Sequence, residues 1–426
     1  MEQATIPSIR VFNNAPTLKW WLVGDDEGED GASEVELPPG EWTAVREDIA
    51  IHNLLKDRDL IFDWGGVPTG VTRLPLPYLT IATQVDIVTG YGNVACHLIL
   101  PLAKRFEVQL YPLMYWRREG TPGDITTLMD RPKVHTDWAF AICIPPELKT
   151  VPCPNIVLLS MWETGSLPEG WAEMTNEYAS HVIVPCEDQK EVFASSGVTV
   201  PMSVVPLGVN TDVYWYRERP ARTDEPFTIL LYGALSSRKS PIETVMNVCW
   251  KAFKDVDDWL LILKTRFGMI GGGKFRPKVK DTHVQVISTD YHPHEMAQLC
   301  WQADCGIFLS KYEGFGLPPR EMMATGLPVI WTAAHGHLED CGKGVTIDIP
   351  IKGPVPAGEL YAGLGGWVMP DWDAAATALR AEYDDWKTRG KTQSPLGTRA
   401  AEYIATERTW NHTVNSIIDI LNAVTK

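Results

Sequence analysis

The sequence predicts an α/β protein built from two successive α/β halves behind a β-rich N-terminal appendage. Three observations predict it. From about residue 76 to 210, and again from 227 to 332, short apolar runs alternate with amphipathic stretches. That rhythm marks parallel strands joined by crossover helices. A polar connection, 210–226, separates the two series. Before residue 70 the pattern changes to short extended runs broken by glycine and proline. A chain of 426 residues is long enough for two or three domains with a sizeable core.

In the appendage, 1–70, the runs 8–12, 17–23, 34–37 and 42–45 read as strands, with the acidic turn GDDEGED at 24–30 between two of them. This is a hairpin-rich pattern. In the first half, 71–210, the runs 106–111, 138–144, 155–161, 181–185 and 202–206 read as strands, and 94–104 as a helix after the turn GYGN. In the second half, 211–398, the strands are 227–232, 259–263, 284–288, 305–309 and 327–331. Pro318 and Pro319 suit the first turn of a helix, where a missing N–H costs nothing. Gly326 ends that helix after about residue 324. A single helix is expected over 399–424, within a C-terminal segment of 399–426.

Composition excludes several function classes. The formal net charge is −16. Duplex DNA affinity rests on neutralising phosphates with cations, so this balance argues against a general nucleic-acid binder. Strong attraction to an anionic membrane is disfavoured for the same reason. No apolar run reaches the length of a membrane span, and no integral membrane segment is expected. The start, MEQATIPSIR, lacks the charged-then-apolar pattern of a secretory signal. Eight cysteines at 96, 143, 153, 186, 249, 300, 305 and 341 form no CxxC pair, and several lie in apolar runs. They read as reduced core residues of a cytoplasmic protein. No HExxH, EF-hand or Cys/His cluster is present, and no structural metal is expected.

The chemistry concentrates in EGFGLPPRE, where Glu313 and Glu321 bracket seven residues. The flanking strands place Glu313 on a loop and Glu321 in the first turn of the helix. N–H groups at a helix start lack intrahelical partners and can hold phosphate. Carboxylates beside them accept from sugar hydroxyls. The pattern therefore suits a sugar nucleotide, with phosphate in the middle and a polyol at each end. The run EGFGLPPREMMATGLPVI, 313–330, resembles the E-x7-E signature of retaining glycosyltransferases with the GT-B fold, in particular the glycosyl transferases group 1 family. The resemblance covers about 76–424 and is strongest over 228–332.

That resemblance implies two Rossmann-like domains facing a central cleft, with the C-terminal helix crossing back to the first. It implies that Glu321 holds the ribose, and that Glu313 with the backbone N–H groups of Gly314, Phe315, Gly316 and Leu317 holds the sugar. Arg238 and Lys239, in the turn that opens at Gly233, match the family's basic pair. Cations there stabilise the departing diphosphate without a metal. Ala234 and Ser240 depart from the family's usual arginine and Asn or Gly. Gly90 and Gly92 resemble its N-domain glycine loop. Lys264 is a second cationic candidate, and Ser288 stands where relatives contact the base. Glu163, in MWETGSLP after the strand 155–161, is similar to a cleft-wall segment and could orient the acceptor hydroxyl or take its proton. His97 and His135 are weaker candidates for the histidine that many relatives carry on that wall. His335 and His337 read as a loop near the donor sugar, since two ligands make no complete metal site.

The implied function is a metal-independent, retaining hexosyltransferase with a nucleotide-diphosphate sugar as co-substrate. The acceptor would be a carbohydrate, a lipid-linked glycan, a protein or a modified base. Two alternatives remain: a glycosyltransferase for hydroxymethylated DNA bases, which the net charge argues against, and a non-catalytic GT-B binding module, which the intact motifs argue against.

Overall fold

A computed structural model describes residues 76–426 apart from 86–88, 117, 119–120, 132, 234–241, 266–281, 359–360 and 426, together with five strands nearer the N-terminus. The chain divides into two compact units, Met1–Leu76 and Pro77–Lys426. In the first unit, Ser8–Asn13 (β1) pairs antiparallel with both Trp42–Arg46 (β4) and Leu60–Asp63 (β5). Lys19–Val23 (β2) and Ser33–Leu37 (β3) form a separate antiparallel pair.

The second unit holds two parallel sheets of six strands each. The first contains Tyr78–Val85 (β6), Glu107–Trp116 (β7), Trp138–Ile142 (β8), Asn155–Leu159 (β9), Ala179–Val184 (β10) and Met202–Val204 (β11), in the order β11-β10-β9-β8-β6-β7. Its helices are Gly90–Ala103 (α1), Gly123–Met129 (α2), Trp171–Tyr178 (α3) and Glu187–Ser195 (α4). Strands such as WAFAI and NIVLL are apolar on both faces because a core lies on each side of the sheet.

The second sheet contains Phe227–Tyr232 (β12), Trp259–Lys264 (β13), Val284–Ile287 (β14), Cys305–Phe308 (β15), Val329–Thr332 (β16) and Ile347–Ile349 (β17), in the order β14-β13-β12-β15-β16-β17. Its helices are Ile242–Ala252 (α5), Pro293–Gln302 (α6), Leu317–Ala324 (α7) and Trp372–Thr388 (α8). A hairpin of Ile351–Pro354 (β18) and Val368–Pro370 (β19) follows β17. The polar connection is not a loose tether. Arg219 is buried in it and donates to the carbonyls of Ala303 (2.9 Å), Thr325 (3.2 Å) and Cys300 (2.9 Å).

The single helix expected over 399–424 is two helices, Pro395–Glu407 (α9) and Trp410–Val424 (α10). Residue 409 breaks it because the chain crosses between the halves there. The Val209 N–H donates to the Arg408 carbonyl at 2.7 Å, and Thr409 caps α10. Gly208 lies so close that a Cβ would stand 2.2 Å from the Trp410 nitrogen, which admits only glycine. Beyond the break, Trp410, Val414, Ile417 and Leu421 join the core of the first half. Among the described residues, no helix is long and apolar enough to cross a membrane.

Strand order locates the site. In each sheet the chain builds in one direction and then starts again on the other side of its first strand. The reversals lie between β6 and β8 and between β12 and β15. Ligands of such sheets bind outside the carboxyl ends of the strands at that point. Gly90 follows β6, Gly233 follows β12, and Glu313 follows β15.

Candidate functional site

The loop 313–316 is held from four directions. Gly316 caps α7 in the left-handed region, φ 89°, where a side chain would be strained. A Cβ there would also stand 2.8 Å from His337 Nε2. Gly336 lies against the loop backbone, and its Cβ would meet Phe315 Cα at 2.6 Å. Its N–H donates to the Glu313 carbonyl at 3.0 Å. The glycine between the two histidines is therefore required for backbone to lie on backbone. From the first half, Met161 lies where a Cβ on Gly314 would stand 3.3 Å from its Cγ, and the Cys186 thiol donates to the Gly314 carbonyl at 3.2 Å. The Phe315 ring is buried in the core of the first half.

Arg320 ties these pieces together. It is fully buried. Its guanidinium donates to the carbonyls of Phe315, Gly316 (3.0 Å) and Gly336 (2.9 Å), and to Asp340 Oδ2 at 2.6 Å. It also lies over the Phe315 ring, 3.8 Å from the centroid. Burial pushes the Asp340 carboxyl up, but Arg320 and Arg408 outweigh it and hold the group well below the usual carboxylate range. With the Phe315 and Gly316 carbonyls turned to Arg320, the backbone is preset at the start of α7, where N–H groups lack intrahelical acceptors and suit an anion.

Glu313 is buried and accepts from Ser310 Oγ at 3.0 Å. Glu321 sits one helical turn into α7, where the Tyr232 hydroxyl donates to it at 2.6 Å and Tyr214 also bonds it. Burial raises its carboxyl to about 7, against the two tyrosines, which lower it. Gly233, φ 128°, donates to the Lys264 carbonyl at 3.1 Å. Lys264 pairs with Tyr232 in register, is buried, and donates to the Thr265 carbonyl at 3.0 Å. It stands 4.8 Å over the Tyr291 ring. Ser288 is exposed just after β14, so β12, β13 and β14 end along one edge. Arg238 and Lys239 lie outside the described residues, as does the loop 271–276.

On the facing half, Thr89 caps α1 and accepts from the Gly92 N–H at 3.1 Å, while Gly90 has open space around it. Tyr91 accepts from the Met161 N–H at 3.0 Å and donates to the Met161 carbonyl at 2.9 Å. That pair fixes the loop carrying Glu163, which is partly exposed. The Glu163 carbonyl accepts from Trp367 Nε1 at 3.2 Å, and the Gly165 N–H donates to Gly365 at 3.0 Å. The segment between β18 and β19 thus straps the second half to this loop. His97 stacks on Trp410 at 4.9 Å, and burial lowers it to about 4, so it is a neutral packing residue. His135 is exposed and 3.7 Å from Asp137.

A further contact between the halves was not foreseen. Asp188, at the start of α4, accepts from Tyr312 at 2.8 Å and lies 2.9 Å from His335 Nδ1. His335 stacks on Tyr312 at 3.8 Å and takes a left-handed φ of 53°. His337 bonds the Thr332 carbonyl and stacks on Trp331; burial, then Arg320, lowers it to about 3. Neither histidine offers its Nδ1 to a ligand. The sequence also gave no role to Arg320, Tyr232 or Tyr214. Arg320 sits inside the motif, and an arginine in an otherwise apolar, buried helix turn was the signal that could have found it.

Residues 227–352 match the family described as Glycosyl transferases group 1. A curated protein of Xanthomonas oryzae pv. oryzae (strain PXO99A), GDP-mannose:cellobiosyl-diphosphopolyprenol alpha-mannosyltransferase, is 27% identical over 216 residues, 49% of this chain and 55% of the relative. The chain spans about half the length of the curated relatives it matches. Among solved structures, Anabaena Alr3699/HepE in complex with UDP is 14% identical with a TM-score of 0.59, covering 82% of this chain and 100% of that one. Sucrose-phosphate synthase from Thermosynechococcus elongatus is 16% identical with a TM-score of 0.59, covering 82% and 99%. At these identities the likeness is one of architecture: the fold is the GT-B arrangement of two Rossmann-like domains.

Proposed function

We propose that this chain is a glycosyltransferase that moves a sugar from a nucleotide-diphosphate sugar to an acceptor hydroxyl, with retained configuration and without a bound metal. One observation carries the reading. At the reversal of the second sheet, two carboxylates flank a backbone loop whose Phe315 and Gly316 carbonyls accept from a buried arginine. The α7 N-terminus receives the diphosphate, Glu321 the ribose, and Glu313 with the N–H groups of 314–317 the sugar. Arg238 and Lys239 stabilise the leaving group as charge develops on it. Catalysis is then largely positioning plus electrostatics.

The match to the glycosyl transferases group 1 family over 227–352 supports the donor half of this reading. The name of the curated relatives makes GDP-mannose the first donor to test and a lipid-linked glycan the first acceptor class. Incubation with a panel of nucleotide sugars including GDP-mannose and UDP-glucose, read as release of the nucleoside diphosphate, tests the activity. No turnover of any donor, with or without glycan acceptors, would leave the binding module as the reading. Turnover only with hydroxymethylated DNA would favour the base-modifying one.

Glu321→Ala is expected to weaken donor binding more than it slows chemistry, because ribose contacts are alike in ground and transition states. Calorimetry of donor binding beside kcat checks this, and unchanged affinity would remove Glu321 from the ribose. An α-linked donor should give an α-linked product, read from the anomeric coupling in proton NMR of fresh product. A β-linked product would overturn retention and make Glu163 the catalytic base.

A further inference from the structure

The strap between β18 and β19 does more than join the halves. Its tip, 364–367, seats on the loop 163–166 that follows β9. The Gly165 N–H donates to the Gly365 carbonyl at 3.0 Å, Ser166 Oγ to the Leu364 carbonyl at 3.0 Å, and Trp367 Nε1 to the Glu163 carbonyl at 3.2 Å. Backbone lies on backbone there. A Cβ on Gly165 would stand 2.8 Å from Gly366 Cα, and a Cβ on Gly366 would collide with the Gly165 nitrogen. The Tyr361 ring meets Trp162 edge-on at 5.6 Å and lies 5.8 Å from the buried Trp367 ring. At its root the strap is tied to the other candidate loop. The Val368 N–H donates at 3.1 Å to the carbonyl of Lys311, just ahead of Glu313.

We propose that this strap is a clasp through which the second half shapes the acceptor loop of the first, with Trp367 as the positioning residue for Glu163. This rests on the glycosyltransferase reading above, with Glu163 as the group that orients the acceptor hydroxyl. Tyr91 and Gln189 of the first half hold the backbone of Met161 and Trp162. The Glu163 carbonyl, the Gly165 N–H and Ser166 Oγ meet the strap instead. A carboxylate placed by bonds to the opposite half is aligned only while the halves are seated on each other. The same strap, through Lys311, is anchored beside the loop that carries Glu313. Donor and acceptor loops are thus set against one another by one element, which matters because a misplacement of about 1 Å can cost about 100-fold in rate.

Amide hydrogen exchange of the full chain, beside steady-state kinetics, tests it. Gly366→Ala should speed exchange about 10-fold in the peptides spanning Gly165 and Trp367, because the tip can no longer seat. Gly363→Ala is the control. Gly363 has a left-handed φ of 84°, like the 78° of Gly366, but open space around it, so it carries the strain without the collision. Its exchange should match wild type. Gly165→Ala approaches the same contact from the other side and should act as Gly366→Ala does. With the donor and glycan acceptor that turn over in the nucleotide-sugar panel, Trp367→Phe should raise the acceptor KM about 5-fold, the effect of one lost hydrogen bond. The donor KM should hold, since the Val368 bond to Lys311 remains. Structural damage would instead lower kcat and leave the acceptor KM unmoved. Wild-type exchange in Gly366→Ala, or equal acceleration in Gly363→Ala, overturns the clasp. An unchanged acceptor KM in Trp367→Phe overturns the positioning role and leaves the glycosyltransferase reading standing. No turnover of any donor by wild type overturns that reading and the acceptor role with it, while exchange still decides whether the clasp exists.

Discussion

Replacing Arg320 by methionine is expected to destabilise the protein by about 3–5 kcal/mol, the usual result of removing one partner from a buried ion pair. Asp340 would keep Arg408 and Tyr403 but lose its fully buried partner. Three carbonyls would lose their donor at once, and each buried acceptor left unsatisfied adds to the cost. Nucleotide binding should fall even under conditions where the variant remains folded, because the 313–316 loop would no longer be preset. Arg320→Lys should not rescue it, since one ammonium cannot reproduce a planar fork reaching four acceptors. Urea unfolding followed by circular dichroism, beside calorimetry with nucleotide, measures both effects. A cost under about 1 kcal/mol with unchanged affinity would remove Arg320 from the argument.

Lys239→Ala is expected to lose about 100- to 1,000-fold in kcat with the fold intact, the effect of removing one donor aimed at developing charge. The turn that carries it opens at Gly233, at the carboxyl end of the first strand of the second sheet. Under the proposed function, a cation there meets the diphosphate of the donor. Because the leaving group gains charge as the bond breaks, the contact strengthens toward the transition state. The loss should therefore appear in kcat more than in KM. Near-normal turnover at saturating donor would refute the assignment.

Much of the fold was legible because both sheets are buried on both faces. Strands such as 227–232 and 305–308 read as unbroken apolar runs, and the glycine and proline punctuation of 313–326 fixed the start and end of α7. What stayed hidden depends on distant partners. Nothing local in 399–424 announces a break at 409; Val209, some two hundred residues earlier, makes it. Asp188 looks like an ordinary helix-start carboxylate until Tyr312 and His335 arrive from the other half. Tyr232 and Tyr214 resemble core aromatics, and only the third dimension brings their hydroxyls to one carboxyl. Local spacing was enough to place the carboxylates and glycines of 313–321 on the loop and helix that carry them, while the basic pair lies outside the described residues. The groups that orient them are not near in sequence.

The placement of α10 has a consequence for biosynthesis. Trp410, Val414, Ile417 and Leu421 complete one apolar face of the first half, yet they are made some two hundred residues after the last strand of the sheet they cover. A ribosome adding about 5–20 residues per second needs roughly 10–40 s to pass from the end of the first sheet to this helix. Throughout that interval one side of the nascent first domain stays uncovered and sticky. The second domain, by contrast, draws its core from residues 209–404, all made within that interval. Vectorial synthesis should therefore finish the domains in reverse order, with the earlier one waiting on the later, and truncation before residue 410 should yield an aggregation-prone chain rather than a free first domain.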